Sequence, residues 1–309
     1  MRTVSVACNL CGSREAREVG RSRDYEFHTT DREFVFVECT ACGLVYLQDR
    51  PDVSELGTIY PPEYYDYNAF LGSFISGLRR RVQRGRIGPL ARYAGDRAFI
   101  VEVGCGNGEL LRVVRDFGPS SWRLMGIDFS PDACALVERH GVEARCGRFE
   151  TLDWQDEPPD VIVMNQVIEH LDDPRAAVRK AAELLRPGGV LLVETPSTDS
   201  WDARWFSPRY WGGWHCPRHW NLFTPRTLRQ LFEREGLIVR ETTFILSPYI
   251  WSHSVQNYVA EGLGWRRLAP VFSERVLPSL ALFSLVDVVQ RLVHGRTSNM
   301  RLVGGKPAS

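Results

Sequence analysis

From Ala98 onward, apolar runs of strand length alternate with segments of helical period: AFIVEVG, ELLRVVRDFG, WRLMGID, PDACALVERHG, VEARCG and DVIVMNQ. Runs rich in Val and Ile, separated by helical stretches of this size, predict βαβ units and therefore a parallel sheet. The alternation continues through a helix over 174–185, a Pro187-Gly188-Gly189 turn and the strand VLLVETP. Beyond it come a Trp- and Gly-rich loop over 201–221, a helix over 225–235 and a strand over 237–246. The tail over 251–293 is apolar with helical character, and SNMRLVGGKP can supply a last strand. The run 276–293 has the length of a membrane span, but Asp287, Gln290 and Arg291 interrupt it, so no transmembrane helix is expected.

Upstream the pattern is different. Residues 1–50 carry short β-type runs, EFVFVE and LVYL, and predict a small β unit. YPPEYYDY follows at 60–67, where two prolines exclude helix and the tyrosines ask for something to pack against. The stretch 70–93 is helical in pattern, with breaks at Gly85 and Pro89, and holds Arg79, Arg80, Arg81, Arg84, Arg86 and Arg92. These changes divide the chain into a unit over 1–50, a connection over 51–97 and a main domain over 98–309. Within the main domain a lid is expected near 197–223 and an apolar helical insertion near 251–295.

Composition alters this picture little. In 309 residues, 44% hydrophobic and 25% charged, 38 basic side chains balance 38 acidic ones. That balance excludes a disordered chain and removes the positive field that drives nonspecific nucleic-acid binding, so no nucleic-acid partner is expected. The first residues, MRTVSVACNLCG, lack the apolar core of a secretory signal, and a cytoplasmic location is the expectation. Cysteines there stay reduced, which turns attention to metal.

Cys8 and Cys11 (CNLCG) and Cys39 and Cys42 (CTACG) form two Cys-x-x-Cys-Gly turns. Each such turn aims two sulfurs at one ion, and two together complete a tetrahedral set of four thiolates for zinc. Four protein ligands leave no open position, so the ion is expected to be structural. Cys105, Cys134, Cys146 and Cys216 lack partners at metal spacing and are expected to pack.

The first strand of the main domain ends in VEVGCGNGELL, with Glu102, Gly104, Cys105, Gly106 and Gly108 leading into a helix. Glycines there let the backbone approach a nucleotide-like ligand at the helix N-terminus. Asp128, in GIDFSP, lies at the end of the next strand, where a carboxylate can take both hydroxyls of a ribose. In order, VEVGCGNG, GIDFSP, NQVIEHL and LLRPGGVLLVETP resemble the motifs of class I S-adenosylmethionine-dependent methyltransferases. The resemblance implies an α/β fold: a Rossmann-like, seven-stranded, mostly parallel sheet with helices on both faces, with the small N-terminal zinc-binding β unit added. It implies S-adenosylmethionine as cofactor. Glu102 and the backbone from Gly104 through Cys105 to Gly106 would serve its methionine end, Asp128 its ribose and Phe129 one face of its adenine. Asn165 and Gln166 would lie near its sulfur. Where many relatives carry an acid after the glycine of the third strand, this chain has Arg148, so Phe149 or a backbone amide is left for the adenine. The residues before Pro51 resemble the zinc-binding leader of some bacterial small-molecule methyltransferases, including sugar C-methyltransferases.

Methyl transfer requires an acceptor held close and in line, with a lone pair free. Glu169 and His170 stand just beyond the fourth strand, and His170 is the leading candidate for a base; packing against the next helix is the alternative. The pair also resembles one in ubiquinone-pathway O-methyltransferases. RYWGGWHCPRHWNLFTP offers His215, His219 and Trp214 for contact with the acceptor, with anchoring of the next helix as the other reading of His219. The expected partner is a small-molecule acceptor, either a nucleotide-linked sugar or similar metabolite, or a quinone-like lipid. A noncatalytic module binding the cofactor or a partner protein is the third reading. Peripheral membrane contact and a homodimer are both compatible with the apolar tail.

Overall fold

The computed structural model describes residues 1–61 and 84–308. Arg79, Arg80, Arg81, Tyr64, Tyr65 and Tyr67 lie outside the described residues. The leader contains β1 (Thr3–Ser5), β2 (Ala16–Ser22), β3 (Phe34–Cys39), β4 (Val45–Leu47) and β5 (Asp49–Pro51). β2, β3 and β4 form an antiparallel meander, while β1 pairs with β5. A short helix α1 (Leu56–Ile59) closes the segment, and α2 (Ile87–Ala91) precedes the main sheet.

The main domain then runs β6 (Phe99–Val103), α3 (Glu109–Phe117), β7 (Arg123–Asp128), α4 (Pro131–Arg139), β8 (Glu143–Cys146), β9 (Val161–Asn165), α5 (Pro174–Leu184) and β10 (Val190–Pro196). It continues with α6 (Trp201–Phe206), β11 (Asn221–Leu222), α7 (Pro225–Arg234), β12 (Ile238–Ile245), α8 (Pro248–Asn257), α9 (Leu277–His294) and β13 (Asn299–Gly305). Seven strands form one sheet in the order β12-β13-β10-β9-β6-β7-β8. β13 is antiparallel to both neighbours, and the pairs among β10, β9, β6, β7 and β8 are parallel.

Period-two alternation explains the layers. Val101, Val103, Ile162, Met164, Leu191 and Val193 face one side, against Ala177, Val178 and Ala181 of α5 and Leu228, Leu231 and Phe232 of α7. Ile100, Val161, Val163, Val190 and Leu192 face the other, against Leu110 and Val114 of α3 and Leu90 of α2. Both faces of the central strands are therefore covered.

The leader is not a separate bead. Cys8, Leu10, Cys39, Cys42, Leu44 and Tyr46 belong to the same buried cluster as β6, β9 and β10. β11, from the lid, pairs antiparallel with β4 and becomes the fourth strand of the leader's sheet. Phe34, Phe36, Trp211, Trp214 and Trp220 form the core between leader and lid. The lid is thereby anchored through the leader.

Candidate active site

The cofactor loop is built by backbone geometry. Gly104, Gly106 and Gly108 have φ of 67°, 50° and 68°, values at which a Cβ is strained. At Gly104 a Cβ would also stand 2.5 Å from Val167 Cγ2. Gly106 N donates to Asp128 Oδ2 at 2.9 Å and Ser130 N to Asp128 Oδ1 at 2.9 Å, so the loop and the carboxylate orient each other. Glu102 is buried, and its Oε2 has no hydrogen-bond partner. Burial pushes its carboxyl up to about 8. An ammonium group arriving beside it would satisfy that oxygen and restore its charge, and a ribose would find Asp128 already oriented, so these residues fit S-adenosylmethionine.

One cavity of about 1530 Å³ collects most of the expected site. Glu102, Gly104, Cys105, Gly106, Asp128, Phe129, Arg148, Phe149, Asn165 and Gln166 line it, as do His170, His215 and His219. Phe129 is 53% exposed there, a flat apolar face without a cover. Gln166 holds φ 55° and donates from Nε2 to Asn299 Oδ1 at 3.1 Å. Arg148 is engaged by Asp172 and Glu150. Glu150 itself lines the cavity, two residues past the position where an acid was sought.

Three expected residues stand elsewhere. Gly108 caps α3 from behind the loop. Trp214 does not wall the acceptor space: its ring stacks on Phe36 at 4.2 Å, and the contact belongs to the leader–lid core. The indole is the largest flat surface facing the apolar β3, so burial there wins. Glu169 is fully buried beneath the cavity, where Thr195 Oγ1 donates to its Oε2 at 2.9 Å and its Oε1 has no hydrogen bond. Burial pushes its carboxyl up to about 8. Of the cysteines expected to pack, Cys105, Cys134 and Cys216 are buried, whereas Cys146 is exposed.

The acceptor end is a cluster of three imidazoles. Ring centroids lie 4.6 Å apart for His170 and His219, 4.9 Å for His215 and His219, and 6.1 Å for His170 and His215. His219 Nδ1 lies 2.8 Å from Gly213 O, and His170 Nδ1 lies 3.1 Å from Arg218 O. A carbonyl only accepts, so both Nδ1 atoms donate and both Nε2 atoms keep lone pairs. Tyr60 Oη adds a contact of 2.9 Å at His170 Nδ1. Burial holds His170 down at about 3 and keeps it neutral. His215, at φ 32°, places Nδ1 2.7 Å from Glu26 Oε2. Burial opposes ionisation of Glu26, but His215 outweighs it and holds the carboxyl at about 2. Glu169, His170 and His219 also bring one ligand atom each within 4.8 Å of one another, the arrangement of a partial metal-binding set.

Glu26 gave no sequence signal, and the density of tyrosines at 60–67 called for a packing partner for Tyr60 without saying which; both reach the site only through tertiary packing. The device that brings them is the buried pair Arg218–Asp24. Arg218 Nη1 and Nη2 donate to the two Asp24 oxygens at 3.1 and 2.9 Å, and Nε donates to Ile59 O at 2.6 Å. Burial alone would raise Asp24, yet the guanidinium holds it at about 2. Arg218, set between His215 and His219 in the histidine-rich loop, was the available hint.

In the leader, Cys8 Sγ lies 3.5 Å from Cys42 Sγ and Cys11 Sγ 3.4 Å from Cys39 Sγ, and all four sulfurs fall within 4.8 Å. Tetrahedral zinc with bonds of about 2.3 Å separates its sulfurs by about 3.8 Å, so this group can bind zinc. Each turn repeats the same bond, Gly12 N to Cys8 O and Gly43 N to Cys39 O, both 2.8 Å, with both glycines at positive φ. Asn9, inside the first turn, donates to Asn221 Oδ1 at 2.7 Å, and Asn221 donates to Leu171 O at 2.7 Å, one residue past His170.

A sheet of this order, with a glycine loop and an acid at the end of the next strand opening on one cavity, is that of the class I S-adenosylmethionine-dependent methyltransferases. The chain matches the methyltransferase-domain family over residues 75–242 and belongs to it. It is 32% identical over 145 residues to a Mycolicibacterium smegmatis protein named "Probable S-adenosylmethionine-dependent methyltransferase", covering 46% of this chain and 53% of that one. It is 30% identical over 159 residues to a ubiquinone biosynthesis O-methyltransferase of a Methylobacterium species, covering 48% and 62%. The chain thus spans between about half and three fifths of the length of these curated relatives. A Thermotoga maritima structure described as a methyltransferase and possible histamine N-methyltransferase shares the fold: TM-score 0.50, 17% identity, 81% of this chain and 100% of that one.

Proposed function

We propose that this protein methylates a hydroxyl group of a small-molecule acceptor, using S-adenosylmethionine. The observation that carries the reading is the single cavity joining Asp128 and the glycine loop to the three-histidine cluster. Bound S-adenosylmethionine supplies an electrophilic methyl carbon on a sulfonium. His215, backed by the ionised Glu26, is the group suited to accept the hydroxyl proton, since a carboxylate on Nδ1 stabilises the imidazolium as it forms. His170, kept neutral by burial, orients the acceptor through Nε2. With the cofactor bound, His215 would take the proton from the acceptor hydroxyl, leaving the oxygen a free lone pair to displace the methyl group from the sulfonium sulfur, which would depart as the neutral thioether. Glu150 is the nearest replacement for the acid that reads an adenine amine. Several relatives are named as O-methyltransferases of ubiquinone biosynthesis, which supports an oxygen nucleophile.

Zinc in the four-cysteine group would act as a structural ion. Its test is metal analysis of the purified protein: about one zinc per chain is expected, released by Cys39→Ser, and a zinc-free parent rejects the assignment.

The reaction is tested by giving the protein methyl-labelled S-adenosylmethionine and a small-molecule extract, then separating aqueous from organic-soluble label. Label on a hydroxylated metabolite is expected, lost in His215→Ala. Label on neither fraction, with cofactor binding intact by calorimetry, rejects catalysis on small molecules. A lipid-borne acceptor is the second reading, supported by the outward apolar surface of α9, and organic-soluble label would select it.

A further inference from the structure

α9 is amphipathic in the wrong sense for a helix of a water-soluble surface. The residues it buries are Ser279, Phe283, Asp287 and Gln290, three of them polar. The stripe it presents to solvent is Leu277, Leu282, Leu285, Val289, Leu292 and Val293, with Leu292 80% exposed. These positions recur at helical spacing over 18 residues, about 27 Å. The apolar surface continues through the preceding segment, where Trp265, Leu268 and Val271 are each more than half exposed. Ser279 Oγ donates to Val271 O at 2.5 Å, which fixes that segment beside the start of α9. At the other end His294 meets Trp201, which stacks on Trp205, itself 66% exposed.

Charge identifies what covers this surface. In 199–206 and 261–296 together stand six arginines, Arg204, Arg266, Arg267, Arg275, Arg291 and Arg296, against three surface carboxylates, Asp199, Glu261 and Glu274; Arg204 and Arg296 pair with Asp199 and Arg266 with Glu261, so the arginines outnumber the surface carboxylates by three. Asp202 and Asp287 are buried. A second copy of the chain seated symmetrically on this face would set the arginine rim against itself. An anionic lipid surface meets the same rim with opposite charge, takes the leucine stripe into its acyl boundary and the exposed tryptophans at headgroup level. Although α9 has the length and hydropathy of a span, it packs on α8 through its polar side, which holds it in the plane of such a surface. We propose that the outward face of α9, with Trp265 and Leu268, docks this protein on anionic membrane surfaces. The inference is independent of the acceptor, since it concerns residues outside the cavity.

Co-sedimentation of the full chain with phosphatidylcholine vesicles, with and without phosphatidylglycerol, tests it. Binding to the anionic vesicles is expected, weakened by salt, together with quenching of tryptophan fluorescence by brominated lipid. Leu285→Glu with Leu292→Glu is expected to weaken binding about tenfold or more. Both positions are exposed, so cofactor affinity and the circular dichroism spectrum should not change and serve as the check on folding. No binding to either vesicle overturns the proposal, as does equal binding to both or binding unaffected by the double substitution. A dimer in sedimentation velocity that the same substitutions dissociate, without vesicle binding, overturns it in favour of a second copy.

Discussion

The two ends of the cavity are made in different ways. The cofactor end is assembled from consecutive strand ends and loops between 102 and 166, and its shape is largely backbone: three glycines at positive φ and two amides on Asp128. The acceptor end is assembled from side chains that are distant in sequence, Glu26, Tyr60, His170, His215 and His219, held by Arg218, Asp24 and the β4–β11 pairing. A local, backbone-made site tolerates change elsewhere in the molecule, whereas a site held by one buried ion pair depends on it.

The largest expected effect removes that pair. In Arg218→Ala, Asp24 is left buried and unpaired, at a cost of about 3–5 kcal/mol. Thermal unfolding should show the loss, with leader and lid released while the main sheet still binds S-adenosylmethionine. A variant as stable as the parent would mean that the two ends are not differently held. Next come the imidazoles. His215→Ala should lower turnover by about 10²- to 10⁴-fold, Glu26→Gln by less, and His170→Ala should raise KM more than it lowers kcat. The reverse pattern would move the base to His170. Asp128→Ala acts on the other end alone. Loss of its ribose hydrogen bonds should weaken cofactor binding by about 1–3 kcal/mol in calorimetry without changing the melting of the leader.

The last test is a matter of pH. Burial raises Glu102 in the folded chain to about 8 from an ordinary value of 4.5. The folded state therefore binds the proton more tightly than the unfolded one, and stability present below about pH 4.5 is lost as pH rises through about 8. Glu102→Gln should gain on the parent in melting temperature across that window when cofactor is absent. Glu169, also raised to about 8, leaves part of the slope in the variant. With cofactor bound, the order should invert. A slope identical in parent and variant would exclude Glu102 from this role.

The same contrast explains what could be read from the chain. Strand alternation and the motifs from Glu102 to Gln166 were legible because each element's partner is the next element along, and the structure bears out the fold class in sheet order and in the two covered faces. The two cysteine turns were legible because their ligand spacing is local. Glu26 and Tyr60 were not, since no periodicity marks a side chain that meets its partner 110 or more residues away. Trp214 was misassigned for a related reason: an aromatic in a glycine-rich loop looks like a binding wall until β3 is seen behind it.

Because β11 completes the leader's sheet, the leader and the lid cannot be inherited separately. A chimera made by exchanging residues 1–61 alone would present a foreign strand edge to the resident lid. Exchanging 1–61 together with 197–223 would carry a whole acceptor chamber onto an unchanged cofactor domain. In evolutionary terms, the leader and the segment that completes its sheet form a unit that is discontinuous in the gene and continuous only in the fold.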